Sequence, residues 1–175
     1  MKIAAVDPGK SGGLAFLESA NLFSSVDESA LSVYKNPGTE GDLIEILRTE
    51  APDCLYLEKV SGFIGNNNPG SRAFVLGDNF GFLKGVIMTL NITLHLVTPP
   101  VWMKAMNLGT RGERTPVQWK NHLKAEAQRL YPKEKVTLLT ADALLLLEYA
   151  RLRELGQLQK GVCNEPAHPP HSNTE

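Results

Sequence analysis

Over the first 60 positions the hydrophobic residues come in short runs, without the three-and-four spacing of an amphipathic helix. Residues 2–6 form one such run, ending at Asp7-Pro8-Gly9-Lys10-Ser11-Gly12-Gly13, a segment dense in turn formers. Residues 14–17 are apolar again, and 22–26 and 31–34 are weaker runs, which predicts a meander of about three antiparallel strands. Thr39 is placed to cap a helix carrying Leu43, Ile44 and Leu47 that stops before Pro52. Residues 54–57 predict a fourth strand ending at Glu58, and residues 61–70 a polar loop.

From Ser71 the period changes. Phe74, Val75, Phe80, Leu83, Ile87 and Leu90 fall at helical spacing, with Gly77, Gly81 and Gly85 four apart. A helical glycine costs about 1 kcal/mol against alanine, so the three together predict a compensating close approach to a sheet or another helix. Residues 92–97 predict a fifth strand, and Pro99-Pro100 starts a short helix through Trp102 and Met106. A basic loop over 108–115 leads into an amphipathic helix over 117–130, halted by Pro132. Residues 140–155 predict a final helix, apolar enough from Ala143 to Leu147 to be buried. From 156 the chain is polar and rich in proline and histidine, which predicts a disordered tail after a single domain over 1–155. The order is that of an α/β sandwich, a five-stranded mixed sheet (three antiparallel strands plus two parallel) flanked by helices.

Composition narrows the class. A chain of 175 residues, 42% hydrophobic and 21% charged, suits one soluble domain. No apolar run approaches the roughly 20 residues that span a bilayer, and the N-terminus meets Asp7 too early for a signal peptide. The two cysteines, Cys54 and Cys163, form no metal-type pair and little of a disulfide framework, so a reducing cytoplasm is expected. The net charge is −1 but polarised: residues 18–58 hold nine acids against two bases, a net −7, whereas 104–135 hold eight bases against three acids, a net +5. Such a chain can turn one basic face to a polyanion, although a solvated mixed surface explains the counts equally well.

Three acids sit where an acid is locally expensive. Asp7 and Glu58 each end an apolar strand, and Asp142 lies in the first turn of the apolar final helix. Singly, each has an ordinary explanation: an Asx turn before Pro8-Gly9, a surface acid at a strand end, an acid favoured at a helix N-terminus beside a threonine cap. Jointly they suggest a site. If the first and fourth strands are parallel neighbours, Asp7 and Glu58 project from adjacent carboxyl ends, where open α/β sheets hold their sites. Two charges about 4 Å apart repel by roughly 4 kcal/mol at an effective dielectric of 20, so three converging carboxylates require protons or a cation. Oxygen donors with neither cysteine nor histidine beside them favour Mg²⁺ or Mn²⁺. A pair of such ions roughly 3.5–4 Å apart activates water and stabilises the leaving oxygen of a phosphodiester.

The motifs that carry these acids resemble those of the RuvC family of Holliday-junction resolvases, particularly its phage and chloroplast-type members. Ile3-Ala4-Ala5-Val6-Asp7-Pro8-Gly9-Lys10-Ser11-Gly12-Gly13-Leu14-Ala15 looks like the family's first catalytic motif, and Leu57-Glu58-Lys59-Val60 is similar to the second. Ser71, Phe74, Gly77, Phe80, Gly81 and Gly85 follow the glycine-spaced helix of the phage members, and Val97-Thr98-Pro99-Pro100-Val101-Trp102 their strand–proline–tryptophan segment. Lys120, twelve residues before Pro132, matches a lysine beside the scissile phosphate, and Thr140-Ala141-Asp142-Ala143-Leu144-Leu145 resembles the terminal acidic motif. The likeness spans residues 2–155 and is weak over 20–50. It implies an RNase H-like fold and a homodimer that nicks four-way DNA junctions with a divalent metal. One departure stands out. The family places a further Asp or His three to five residues before the last acid, where this chain has Leu139, Leu138 and Thr137, with Glu134 eight residues away.

Lys104, Arg111, Arg114, Lys124 and Arg72 are candidate phosphate contacts, and Lys120 is both a phosphate contact and a candidate to steady transition-state charge. Phe63, in the loop after Glu58, is a candidate to stack on or wedge between bases, or else a loop anchor. Trp102 and Trp119 read as core or dimer-packing residues, His95 as a structurally satisfied strand residue, and His168 and His171 as tail residues that make no metal site. Three other readings stay open: an actin-like ATPase, for which the chain has no room for a second lobe; a catalytically silent junction-binding protein; and an RNA–DNA hybrid nuclease.

Overall fold

The computed structural model describes residues 1–18, 28–60 and 70–158, and the side chain of Arg72 is not among the atoms described. The strand expected over 22–26, the loop that carries Phe63 and nearly all of the tail lie outside these residues.

Five strands form one sheet: β1 (Lys2–Val6), β2 (Gly13–Glu18), β3 (Leu31–Lys35), β4 (Cys54–Glu58) and β5 (Thr93–Val97). Their order across the sheet is β3-β2-β1-β4-β5. The first three are antiparallel, and β1–β4 and β4–β5 are parallel, which is the mixed sheet expected from the sequence. The central strands are unbroken apolar runs because both their faces are covered. Ile3 and Ala5 look into one core with Ala15, Leu17, Cys54 and Tyr56, while Ala4 and Val6 look into the other with Leu14, Phe16, Leu55 and Leu57.

The second core is closed by α1 (Glu40–Glu50) through Leu43 and Leu47, and by α2 (Gly70–Thr89) through Leu83 and Ile87. Thr39 caps α1, its hydroxyl accepting from the Asp42 N–H at 3.2 Å, and Ala51 ends it in the left-handed conformation at φ 42° just before Pro52. The first core is closed by α3 (Pro99–Ala105), α4 (Pro116–Leu130) and α5 (Ala141–Glu154). Thr115 and Gln118 form a reciprocal capping box at the start of α4. In α5 every residue from Ala141 to Ala150 is buried, including Asp142 and Glu148. Glu148 is neutralised there by Arg151 at 2.7 Å.

One expectation fails in α2. Gly77, Gly81 and Gly85 do not mark a close approach among the described residues, because a Cβ on any of them meets nothing there within 4 Å. They lie two residues out of step with Leu83 and Ile87, hence about 200° round the helix, on the face turned away from the sheet. Exposed Phe74 and Met88 share that outer face. No helix among the described residues is long and apolar enough to cross a membrane.

Candidate active site

The parallel register of β1 and β4 pairs Val6 with Leu57, so the next residues, Asp7 and Glu58, leave the sheet side by side at its carboxyl edge. Asp7 opens a tight turn. Its N–H donates to the Gly13 carbonyl at 3.0 Å, and its Oδ1 accepts from the Gly9 N–H at 3.1 Å. The Asx turn considered from sequence is therefore present, and it aims the carboxylate as well as closing the loop. Gly12 has to be glycine: a Cβ there would lie 2.3 Å from the Asp7 carbonyl oxygen and 2.7 Å from its carboxyl carbon. Asn36, just beyond β3, clamps the turn by donating from Nδ2 to the carbonyl oxygens of Asp7 at 2.9 Å and Gly9 at 2.5 Å.

The third acid arrives on α5, which packs across β1 and β2. Thr140 precedes the helix but makes no side-chain cap, contrary to the expectation of a threonine cap beside Asp142. Its hydroxyl instead accepts from the Thr137 N–H at 3.0 Å and pairs with the Thr137 hydroxyl at 3.0 Å, tightening the turn that enters α5. Asp142 Oδ2 forms an ion pair with Lys120 of α4, while its Oδ1 is buried without a hydrogen-bond partner among the described residues. A buried carboxylate oxygen with nothing bound to it is energetically costly, and it is the atom a cation would satisfy.

The acids sense one another. Burial, then the charges of Asp7 and Asp142, push the Glu58 carboxyl up to about 7, opposed by a hydrogen bond from Trp102. Trp102 is fully buried, and its Nε1–H donates to Glu58 Oε2 at 3.0 Å. Asp7 is likewise raised, mainly by burial, then by Asp142, against the Gly9 hydrogen bond and Lys120. For Lys120 burial works against the charge, but Asp142 foremost, then Asp7 and Glu58, hold its pKa above the ordinary lysine value. One ammonium thus faces three carboxylates. Among the described residues the three acids do not draw one atom each to within 4.8 Å of one another; the group that does is Cys54, His95 and Glu154.

All four residues singled out as catalytic candidates therefore meet at one sheet edge. The oxygen-only donor set and the unpartnered Asp142 Oδ1 fit a hard divalent ion such as Mg²⁺ or Mn²⁺. The position of the absent fourth acid is taken by Thr137, tied to Thr140, and by Leu138 and Leu139, both exposed. Of the phosphate candidates, Lys104 and Arg111 line an open groove of about 640 Å³ with Pro99, Met103 and Trp119. The Arg114 guanidinium lies over the Trp119 ring, 5.8 Å from its centroid, and Lys124 sits one helical turn beyond Lys120 on α4. Phe63 and the Arg72 side chain fall outside the described residues. Asn36 and the Trp102–Glu58 hydrogen bond were not anticipated. Asn36-Pro37-Gly38 reads as an ordinary turn, and a tryptophan five residues after a strand reads as core.

The fold that positions these residues is shared with solved structures. Thermus thermophilus RuvC superposes with a TM-score of 0.57 at 16% sequence identity, covering 91% of this chain and 99% of that one. The fold is RNase H-like and resembles that of RuvC. The same protein in complex with a Holliday junction substrate matches with the same figures. No protein-family model matches the sequence, and no curated protein does either.

Proposed function

We propose that this protein is a divalent-metal-dependent, structure-selective DNA endonuclease that nicks four-way junctions or similar branched DNA. The observation that carries the reading is the meeting of Asp7, Glu58 and Asp142 at one sheet edge, with a buried carboxylate oxygen left without a partner. Asp7, Glu58 and Asp142 hold Mg²⁺ or Mn²⁺, two ions in the full site, and the metal supplies an activated water and charge stabilisation at the phosphate. Lys120, which faces all three acids, would offer its ammonium to the scissile phosphate. Trp102 and the Gly9 N–H keep Glu58 and Asp7 aimed.

Lys104 and Arg111 in the groove beside Trp119, Arg114 over that ring, and Lys124 one turn beyond Lys120 neutralise backbone phosphates, a role also assigned to Arg72. Phe63 is proposed to act at the branch point. The protein with the matching fold whose complex contains a Holliday junction supports a branched substrate. A second copy of this chain, docked on the outer face of α2 through Phe74, Gly77, Gly81, Gly85 and Met88, completes a homodimer suited to paired nicks. Within the RuvC-like proteins the motif likeness favours the phage and chloroplast type.

The lack of a carboxylate or imidazole at 137–139 favours one other reading, a junction-binding protein with weak or no cleavage. Incubation with labelled four-way junction, duplex and RNA–DNA hybrid, with and without Mg²⁺ or Mn²⁺, separates the possibilities. Metal-dependent nicking of the junction is expected. Asp7→Asn should abolish it and leave junction affinity unchanged, since Asp7 touches no phosphate. Tight junction binding with no cleavage in either metal favours the silent protein, and preferential cutting of the hybrid refutes the branched-DNA assignment.

A further inference from the structure

Strand β4 carries chemistry at both ends. Glu58 closes its carboxyl end, and Cys54 opens the other, roughly 13 Å away at about 3.3 Å per residue. The register pairs Cys54 with Thr93 and Tyr56 with His95, so Cys54 and His95 are diagonal neighbours on the face covered by α5. Glu154, the last residue of α5, reaches the same point. One ligand atom from each of Cys54, His95 and Glu154 lies within 4.8 Å of the others.

Two further contacts show this group is held. The His95 ring is stacked on Tyr56 with centroids 4.6 Å apart and planes at 24°, which fixes its orientation. The Tyr56 hydroxyl donates to Glu154 Oε1 at 2.5 Å, aiming the carboxylate and leaving its second oxygen to serve as a ligand. His95 was expected to be structurally satisfied, yet its Nδ1 is buried with no hydrogen-bond partner among the described residues. Nothing in the nuclease centre uses any of these groups.

We propose that Cys54, His95 and Glu154 form a second metal site, selective for Zn²⁺ or another borderline transition ion, that pins α5 to the starts of β4 and β5. A sulfur, a nitrogen and an oxygen donor favour such an ion over Mg²⁺, the opposite of the oxygen-only set at Asp7, Glu58 and Asp142. Tetrahedral bonds of about 2.0–2.3 Å put neighbouring ligand atoms roughly 3.3–3.8 Å apart, so side-chain rotations of about 1 Å close the group. On binding, the Cys54 thiol gives up its proton to solvent, its sulfur bonds the ion, and water occupies the fourth position. Thiolate and carboxylate together balance the ion's two charges.

Co²⁺, which reports sulfur ligation by a thiolate charge-transfer band, is the probe for the full-length protein. One equivalent is expected to bind with that band and to be displaced by Zn²⁺ but not by Mg²⁺. The band should persist in Asp7→Asn and in Cys163→Ser and vanish in Cys54→Ser. Because Cys54 is buried and its replacement can unfold the chain, His95→Ala and Glu154→Gln serve beside it, each expected to weaken Co²⁺ binding at least about 10-fold. Glu154 is exposed, so its variant keeps the fold. Absence of a sulfur band in the wild type, its loss in Cys163→Ser or Asp7→Asn, or wild-type affinity in both His95→Ala and Glu154→Gln overturns the proposal.

Discussion

Glu58→Gln should make the metal-free protein more stable at neutral and alkaline pH while leaving its stability in acid unchanged. The folded state keeps a proton on Glu58 up to about 7, whereas the ordinary glutamate value is 4.5. Between these values the native state binds more protons than the unfolded chain, so stability falls as pH rises through the window and levels off above it. A separation of that size is worth at most about 3–4 kcal/mol at about 1.4 kcal/mol per unit. Glu58 is partly open to solvent, and screening reduces the expected effect to about 1–2 kcal/mol. Asp7 is raised as well and adds a slope of the same sign, which the variant retains. Urea denaturation in the presence of a chelator, from about pH 5 to pH 8, reads this directly as a midpoint shift at constant m-value. The wild type should lose stability across the range and Glu58→Gln should lose less. Added Mg²⁺ should restore the wild type at pH 8 and not the variant, because only a native-state site yields that linkage. Parallel pH curves for the two proteins would refute the reasoning, since they would mean that Glu58 is not strained by its neighbours.

Trp102→Phe removes the hydrogen bond that opposes the rise at Glu58, so the Glu58 carboxyl should titrate above its present value of about 7; side-chain NMR titration measures it. Gly12→Ala drives a methyl group into the Asp7 backbone and should cost roughly 1–3 kcal/mol by thermal denaturation. Gly38→Ala, where a Cβ meets nothing within 4 Å, should stay within about 0.5 kcal/mol. Lys120→Ala should lower single-turnover cleavage about 100-fold with little change in junction affinity, and an unchanged rate would remove Lys120 from the chemistry.

The central strands were readable because a sheet covered on both faces demands uninterrupted apolar runs, which residues 3–6 and 54–57 supply, and the edge strand over 92–97 was readable from its alternation of apolar residues with Thr93 and His95. The convergence of Asp7 and Glu58 was readable for a related reason: both end such runs, and parallel neighbours align their carboxyl ends. What escaped depends on contacts between distant segments. Nothing around Asn36 announces that its amide spans the Asp7 turn, and Trp102 carries no local sign that its indole N–H reaches a carboxylate 44 residues earlier. The glycines of α2 misled because helix spacing shows which residues share a face but not whether that face meets this chain or open space. The basic segment was legible as charge. Its arrangement around Trp119, with Arg111 Nε donating to the Arg114 carbonyl, follows from loop geometry that includes Gly109 at φ 75° and Gly112 at φ 53°.

The burial of α5 has a consequence for how the protein comes into being. Two of the acids are in place once β1 and β4 have paired, but the third rides on a helix synthesised more than 80 residues after Glu58. Until that helix docks, one face of the sheet is bare hydrocarbon and the acidic cluster lacks both Asp142 and the lysine that balances it. If the proposed function holds, a polypeptide still being translated would lack its complete acidic site, and the last step of core burial would also be the step that assembles it.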